Sequence, residues 1–304
     1  MTTNAALPLR RPIPLMQPFD AAGFDRDFRN PGRPVIVKGA ASSWPAVKTW
    51  SPDYFAEKFG DMQIEPSIGL PDTEVPYQFT DADYRRAMTV AQFVELMKSG
   101  DRCYVDQLSV SRYEGVADEY HFDTLGPHEL KDVVFWMGAN TRSGLHYDYV
   151  DNFFAQVHGT KVVILAAPDQ ARNLHLFSDC HTKSQVAPQT PDLRKHPRFA
   201  RAEILQATLE PGDVLYLPKG WWHYFASSTS SISLSCWHGV PLTPSHDVKI
   251  MLSIHSPAAW LRLVRDFLWH GLLNRPYKRR LYSPPPTGRM LYELVASMLT
   301  GKRG

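Results

Sequence analysis

Three side chains in the stretch GLHYDYVDNFFAQVHGTK, residues 144 to 161, are of types that do chemistry, while their neighbours are of types that seek burial. His146 and Asp148 stand two apart. In an extended strand residues i and i+2 project from one face, so the two would point together with Tyr147 turned away. An imidazole beside a carboxylate supplies two ligands to a divalent first-row metal. Two histidines and one carboxylate on one face of an octahedron, with the other positions open, suit a non-haem Fe(II) that must also take up oxygen. That set requires a second, distant histidine.

The segment GDVLYLPKGWWHYF offers one. Gly212, Pro218, Gly220 and His223 follow the spacing glycine, five residues, proline, one residue, glycine, two residues, histidine. The proline and glycines close a tight turn between two strands and leave His223 at the start of the second, facing inward. Taken alone, each piece has a plainer explanation. A His-x-Asp triplet arises by chance, and a histidine after two tryptophans is ordinarily a packed core residue. The two in this order, each at a strand edge, make His146, Asp148 and His223 the candidate metal ligands.

The surrounding pattern predicts the elements that must hold them. RPVIVKG, residues 33 to 39, is a β-branched run ended by glycine and reads as a strand. Ser51 and Pro52 open one helix that Gly60 ends, and Thr89 and Gln92 have capping-box spacing for a second that Gly100 stops. From about residue 102 to 240 the apolar runs are strand-length: CYVDQL, DVVFWMG, NFFAQVHG, KVVILAA, DVLYLP and SISLSCW. The proline-punctuated stretch 168–208 reads as an insertion of loops and short turns. Beyond Pro241, PAAWLRLVRDFLWHGLLN and GRMLYELVASMLTG carry helical apolar stripes separated by YSPPPTG. The organisation expected is an N-terminal strand and helices (1–101), a β-barrel (102–240) and a C-terminal helical segment (241–304), a mainly β fold with flanking helices.

Composition narrows the function classes. A net charge of +2, from 33 basic and 31 acidic residues, gives no reason to expect a nucleic-acid partner. Cys103, Cys180 and Cys236 are scattered, with no CxxC pair to suggest a zinc knuckle or a disulfide framework. The first residues lack the apolar core of a signal peptide, and no run reaches the ~18 apolar residues of a membrane span. A cytoplasmic protein with no membrane partner is the expectation.

The longest motifs, HYDYVDNFFAQVHGTKVVILAAPDQ and PGDVLYLPKGWWHYF, resemble the JmjC/cupin-like 2-oxoglutarate oxygenases. The likeness is greatest to the asparaginyl hydroxylase of hypoxia-inducible factor and its bacterial relatives, and covers roughly residues 30 to 240. It implies a double-stranded β-helix (a cupin or jelly-roll barrel), Fe(II) on His146, Asp148 and His223, and 2-oxoglutarate and O2 as co-substrates. Lys161, fifteen residues after His146, stands where the family has the lysine that pairs with the distal carboxylate of 2-oxoglutarate. On a strand, Lys161 shares a face with Val163 and Leu165, and an unpaired ammonium in an apolar wall is costly to bury, which fits an anionic partner. A solvated lysine at a hairpin end is the alternative.

By the same resemblance Tyr104 and Ser143 would hydrogen-bond that carboxylate, Asn152 would lie near the metal, and Trp237 would line the pocket. Tyr104 and Trp237 could equally be core aromatics. Ser235 replaces a family asparagine, which would relax the co-substrate end or fill it with water. His158, His175, His181, His196 and His238 match no ligand position. The implied reaction hydroxylates an amino-acid side chain of a protein or peptide. The alternatives are a small-molecule or peptide natural-product hydroxylase, a lysine demethylase, and a non-catalytic binding module. A stripe of Trp260, Leu263, Val264, Phe267 and Leu268 must be buried somewhere. The resemblance implies a homodimer through the C-terminal helices, against the plainer possibility that the stripe packs on its own barrel.

Overall fold

In the computed structural model the two helices expected from their caps start where capping chemistry puts them. The Ser51 hydroxyl accepts from the Tyr54 N–H at 3.1 Å, and Thr89 and Gln92 complete a reciprocal capping box. The structure describes residues 7–80, 84–126, 130–242, 246, 249–250, 257–278, 280–281 and 285–300. The first six residues, most of 243–256 and part of the proline-rich spacer, residues 282–284, lie outside the described residues. No described helix is long and apolar enough to cross a membrane.

The strands are β1 (Leu9–Pro12), β2 (Leu15–Met16), β3 (Val35–Val37), β4 (Gln63–Ile64), β5 (Ser67–Ile68), β6 (Met88–Thr89), β7 (Cys103–Ser109), β8 (Leu130–Arg142), β9 (Asp151–His158), β10 (Lys161–Ala166), β11 (Glu203–Leu209), β12 (Val214–Leu217) and β13 (Trp222–His238). The helices are α1 (Ala21–Phe24), α2 (Pro45–Thr49), α3 (Pro52–Phe59), α4 (Val90–Lys98), α5 (Pro257–Asp266) and α6 (Thr287–Thr300). All strands except β4 and β6 join one sheet, curled into a jelly roll.

The curl is made by β13. Its first half pairs antiparallel with β10, and after an irregularity between Ser227 and Ser230 its second half runs between β8 and β9. A strand that changes partners at such a bulge bends the sheet around an interior. Where β9 meets β13, buried polar side chains are satisfied by one another and by backbone carbonyls. Gln156 donates to Ser231 at 3.1 Å and accepts from Ser233 at 2.9 Å. Helices α2, α3 and α4 supply Ala46, Phe55, Phe93 and Val94 to an aromatic-rich core shared with Trp50, Tyr113 and Phe135.

Three expectations are corrected. First, the stretch 168–208 is not loops alone: EILQATL forms β11, which pairs antiparallel with β10 and parallel with β1. Its alternation was hidden by the prolines around it, and its partner β1 lies some 190 residues earlier, too far for any local pattern. Second, His146 and Asp148 are not in a strand. They lie in the connection between β8 and β9, where the His146 backbone forms an isolated antiparallel bridge with His223. Third, the helix begun by α5 does not continue as a regular α-helix: Phe267–Leu272 is a π-helical turn. That turn brings Phe267 against Tyr292 of α6, rings 5.5 Å apart and edge to face. Gly288 permits the close crossing, since a Cβ there would lie 2.5 Å from the Leu263 carbonyl oxygen.

Candidate metal centre and its pocket

Two loops and one strand converge to build the centre. The His146 N–H donates to the His223 carbonyl at 3.0 Å and the His223 N–H to that of His146 at 2.6 Å, which clamps the two ligand segments side by side. The turn before His223 is tied to the same loop. The Gly220 N–H donates to the Asp148 carbonyl at 2.9 Å, and the Lys219 N–H to the Asp151 carboxylate at 2.9 Å. Gly220 sits at φ +80, a left-handed conformation that favours glycine and explains that position in the motif.

One ligand atom from each of His146, Asp148 and His223 lies within 4.8 Å of the others. His223 Nε2 is 3.7 Å from Asp148 Oδ2, and His146 Nε2 is 3.9 Å from Asp148 Oδ1. Each imidazole has its Nδ1 beside a backbone carbonyl: His146 with Gly144 at 3.1 Å, His223 with Trp221 at 3.0 Å. A carbonyl can only accept, so Nδ1 carries the proton and both Nε2 lone pairs face the gap. Burial, then the positive charge of Lys183 and the neighbouring His223, pushes His146 well below the usual histidine range. Burial also lowers His223, with Asp148 opposing. Both rings are therefore neutral donors, and the donor set fits a divalent first-row metal.

Lys161 opens β10, and register explains its direction. Leu165 stands opposite His223 and Val163 opposite Phe225. Residues directly opposite share a face and alternate residues of one strand do too, so Lys161 faces the same interior as His223. It is 2% exposed, and its ammonium lies over the rings of Phe154 and Tyr104 at 5.2 and 5.7 Å. No hydrogen bond or ion pair reaches it among the described residues. Burial lowers its pKa to about 7.

One pocket gathers the rest. Tyr104, Ser143, Asn152 and Trp237 all line it with His146, Asp148, His223 and Lys161. Tyr104 stacks on Trp136 at 5.8 Å. The Ser143 hydroxyl accepts from the Phe225 N–H at 2.9 Å and donates to the Gly144 carbonyl at 3.0 Å, so it also orders the loop that carries His146 and Asp148. Asn152 Oδ1 and Trp237 Nε1 are buried with no hydrogen-bond partner among the described residues, two valences left for a ligand. Ser235 receives the Trp136 indole N–H at 3.0 Å and the Asn152 amide at 3.3 Å, so the shorter side chain ties two pocket walls together.

Sequence reasoning missed Asp106, Gln107 and Lys183 on the lining. Asp106 and Gln107 lie in a register shift of β7 against β8, with Gln107 at φ 54, and no sequence pattern announces such a bulge. Asp106 is held by Arg85 at 2.6 Å. The histidines set aside lie elsewhere: His181 bonds Thr287, His238 stacks on Phe153, His175 accepts from the Arg198 N–H and faces His196, and His158 is half-buried in β9. The three cysteines are buried free thiols.

A family model described as a cupin-like domain matches residues 21–242. The chain is 31% identical over 222 residues to lysine-specific demethylase 8 of Xenopus tropicalis, covering 68% of this chain and 48% of that protein. It is 30% identical over 232 residues to lysine-specific demethylase JMJ30 of Arabidopsis thaliana, covering 71% and 52%. Against tRNA wybutosine-synthesizing protein 5 of Danio rerio it is 27% identical over 277 residues, covering 84% and 83%. The chain thus spans about half the length of the demethylases and most of the length of the third relative.

Proposed function

The chain belongs to the JmjC/cupin-like oxygenase family, and from that premise we propose that it is an Fe(II)- and 2-oxoglutarate-dependent hydroxylase of an amino-acid side chain in a protein or peptide. His146, Asp148 and His223 would hold the metal through Nε2, a carboxylate oxygen and Nε2. Bound Fe(II) supplies oxidative chemistry: 2-oxoglutarate and O2 become succinate and CO2 while a substrate C–H becomes C–OH. The observation that carries the reading is the conjunction of two unprotonated, converging Nε2 atoms with a lysine buried on the same interior face that makes no hydrogen bond or ion pair among the described residues.

The chain's own residues then divide the work. Lys161 binds the distal carboxylate, and its ammonium regains in that ion pair what burial takes away. Tyr104 and Phe154 wall that end, so the pair forms out of water. Asn152 and Trp237 offer their unsatisfied oxygen and N–H to ligands nearer the metal. Ser143 and Ser235 act as positioning residues, one on the His146 loop and one between Asn152 and Trp136.

Two further readings have specific support. The names of two relatives bring lysine demethylation, which would use the same hydroxylation on an N-methyl carbon. The nearly full-length match to a tRNA wybutosine-synthesizing protein brings an RNA-borne substrate. Iron-dependent succinate release measured with peptide pools, methyl-lysine peptides and total tRNA separates the three, and stimulation by peptides alone is the outcome this reading requires.

The C-terminal helices carry a second proposal, a homodimer. Leu263 of α5 is buried, but Val264, Leu268 and Leu272 are 54%, 46% and 60% exposed, with Leu261, Trp269 and Leu273 also exposed. The stripe is therefore only partly covered by its own chain, and a second copy would cover the remainder. Light scattering on the full chain tests this, and a monomer at micromolar concentration would refute it.

A further inference from the structure

Lys183 is a second buried lysine of the pocket, and the roles given to the metal and the co-substrate leave it without work. Its residue is 5% exposed and lines the pocket beside His146 and Asp148. Its position is built rather than incidental. The segment forms an isolated bridge with His146, the Ser184 N–H donates to the Leu145 carbonyl at 2.9 Å, and the Tyr147 N–H to the Thr182 carbonyl at 3.3 Å. Behind it, His181 bonds Thr287 at 2.9 Å and Asp179 pairs with Arg280 at 2.7 Å, which ties the segment to the C-terminal region.

The backbone of Lys183 is satisfied on both sides: its N–H donates to Cys180 at 3.0 Å, and its carbonyl accepts from Phe177 at 2.9 Å. The ammonium is not. It lies 4.8 Å from the centre of the Tyr77 ring and makes no hydrogen bond or ion pair among the described residues. A π face offsets only part of the loss of water around a buried cation.

Resting on the oxygenase reading, we propose that Lys183 recognises a carboxylate on the substrate, so that the residue hydroxylated is acidic, of aspartyl or glutamyl type. Charge accounting within the pocket leads there. The two positive charges of Fe(II) and the one of Lys161 are matched by Asp148 and by the two carboxylates of 2-oxoglutarate, and Asp106 on the lining is already matched by Arg85. A protonated Lys183 leaves one positive charge over, in a site too buried for water to screen it, and burial disfavours that charge until an anion meets it. Asp148 favours the charged form of Lys183 through space but makes no ion pair with it, and in this reading it would be taken up by the metal. Among the intended occupants only the substrate can bring the missing anion. The same cation, set beside His146, repels a methylammonium or a guanidinium, which weighs against demethylation of lysine here despite the names of the relatives.

The test uses the iron-loaded full chain with peptide pools of degenerate flanks and one fixed central residue: Asp, Glu, Asn, Gln, Lys or dimethyl-lysine. Succinate release and binding calorimetry without O2 are read in parallel. The expected result is that Asp or Glu pools bind and stimulate turnover roughly tenfold more than Lys pools, and that Lys183→Met removes this preference by raising the peptide KM roughly tenfold. Lys183→Glu is expected to reverse it toward cationic pools. A wild-type preference for neutral or cationic residues overturns the proposal. So does a Lys183→Met variant that keeps its acidic preference, or one that weakens 2-oxoglutarate as a Lys161 variant would, which would make Lys183 a second co-substrate grip. A wild-type protein that binds acidic pools through Lys183 yet releases no succinate refutes the oxygenase reading and leaves the anion site standing.

Discussion

The barrel pocket and the C-terminal helix pair depart from ordinary burial in opposite directions. The pocket hides two lysine side chains, 2% and 5% exposed, that make no ion pair among the described residues, while α5 and the turn after it leave Val264, Leu268 and Leu272 largely exposed. Burying an unpaired charge and exposing a run of leucines are both unfavourable, and each points to what would relieve it. For the pocket that is a metal and anions; for the helices it is another apolar surface. The supports differ as well. The pocket is held by strands paired on both sides and by backbone clamps between His146 and His223, whereas the helices rest largely on each other through the close crossing at Gly288.

The largest effect should come from breaking the pocket's metal set. His146→Ala and His223→Ala are each expected to lose metal and turnover by more than the roughly hundredfold that even supporting residues around such ligands can cost. Metal content after dialysis, with activity in parallel, checks this; a double variant that keeps a full complement of metal would rule the triad out. Next is Lys161→Met, expected to weaken 2-oxoglutarate about thirtyfold or more, the loss typical of removing one partner from a buried charge pair, with metal content unchanged. An unchanged KM for 2-oxoglutarate would move the role to another cation, Lys183 first, since it lines the same pocket.

The same lysine should make co-substrate binding depend on pH. In the free pocket burial holds Lys161 at about 7, against 10.5 for the ordinary side chain. Above pH 7 the free protein therefore holds a neutral amine, and the dianion must recruit a proton to bind. Affinity should fall roughly tenfold per pH unit between about 7 and 10, with about one proton taken up per ligand. Calorimetry in two buffers of different ionisation enthalpy reads that proton directly. The stability sign agrees: across that window the unfolded chain binds the proton and the free folded chain does not, so the ligand-free protein should gain stability as pH rises.

The smallest effect, about tenfold or somewhat more in dimer dissociation, is expected for Leu268→Glu on the outer helical face, from the apolar burial that such a substitution forfeits. Sedimentation equilibrium measures it. If the variant dissociates no more readily than the parent, the exposed face is not the interface.

What could be read from the chain follows the reach of each interaction. Caps act over three residues, and Ser51 and Thr89 were legible for that reason. The glycine–proline spacing before His223 is also local, and the left-handed Gly220 shows why it recurs as a pattern. His146 and Asp148 were legible as a pair, though strand alternation was the wrong cause: the bridge of His146 to His223 and the Gly220 N–H on the Asp148 carbonyl fix their loop against the start of β13. β11 was lost because its partners β1 and β10 are remote and its surroundings are rich in proline. Lys183 was lost for a similar reason. Nothing periodic surrounds it, and its place is set by Leu145 on one side and Thr287 on the other.

The most direct test of the metal and co-substrate centre is the release of succinate from 2-oxoglutarate by the chain stripped of metal and then reloaded with Fe(II). The account predicts no succinate from the stripped protein, release restored in proportion to iron bound, and saturation at one iron per chain. Succinate formed at the same rate without iron, or none formed at full iron occupancy with 2-oxoglutarate and O2 present, would contradict it.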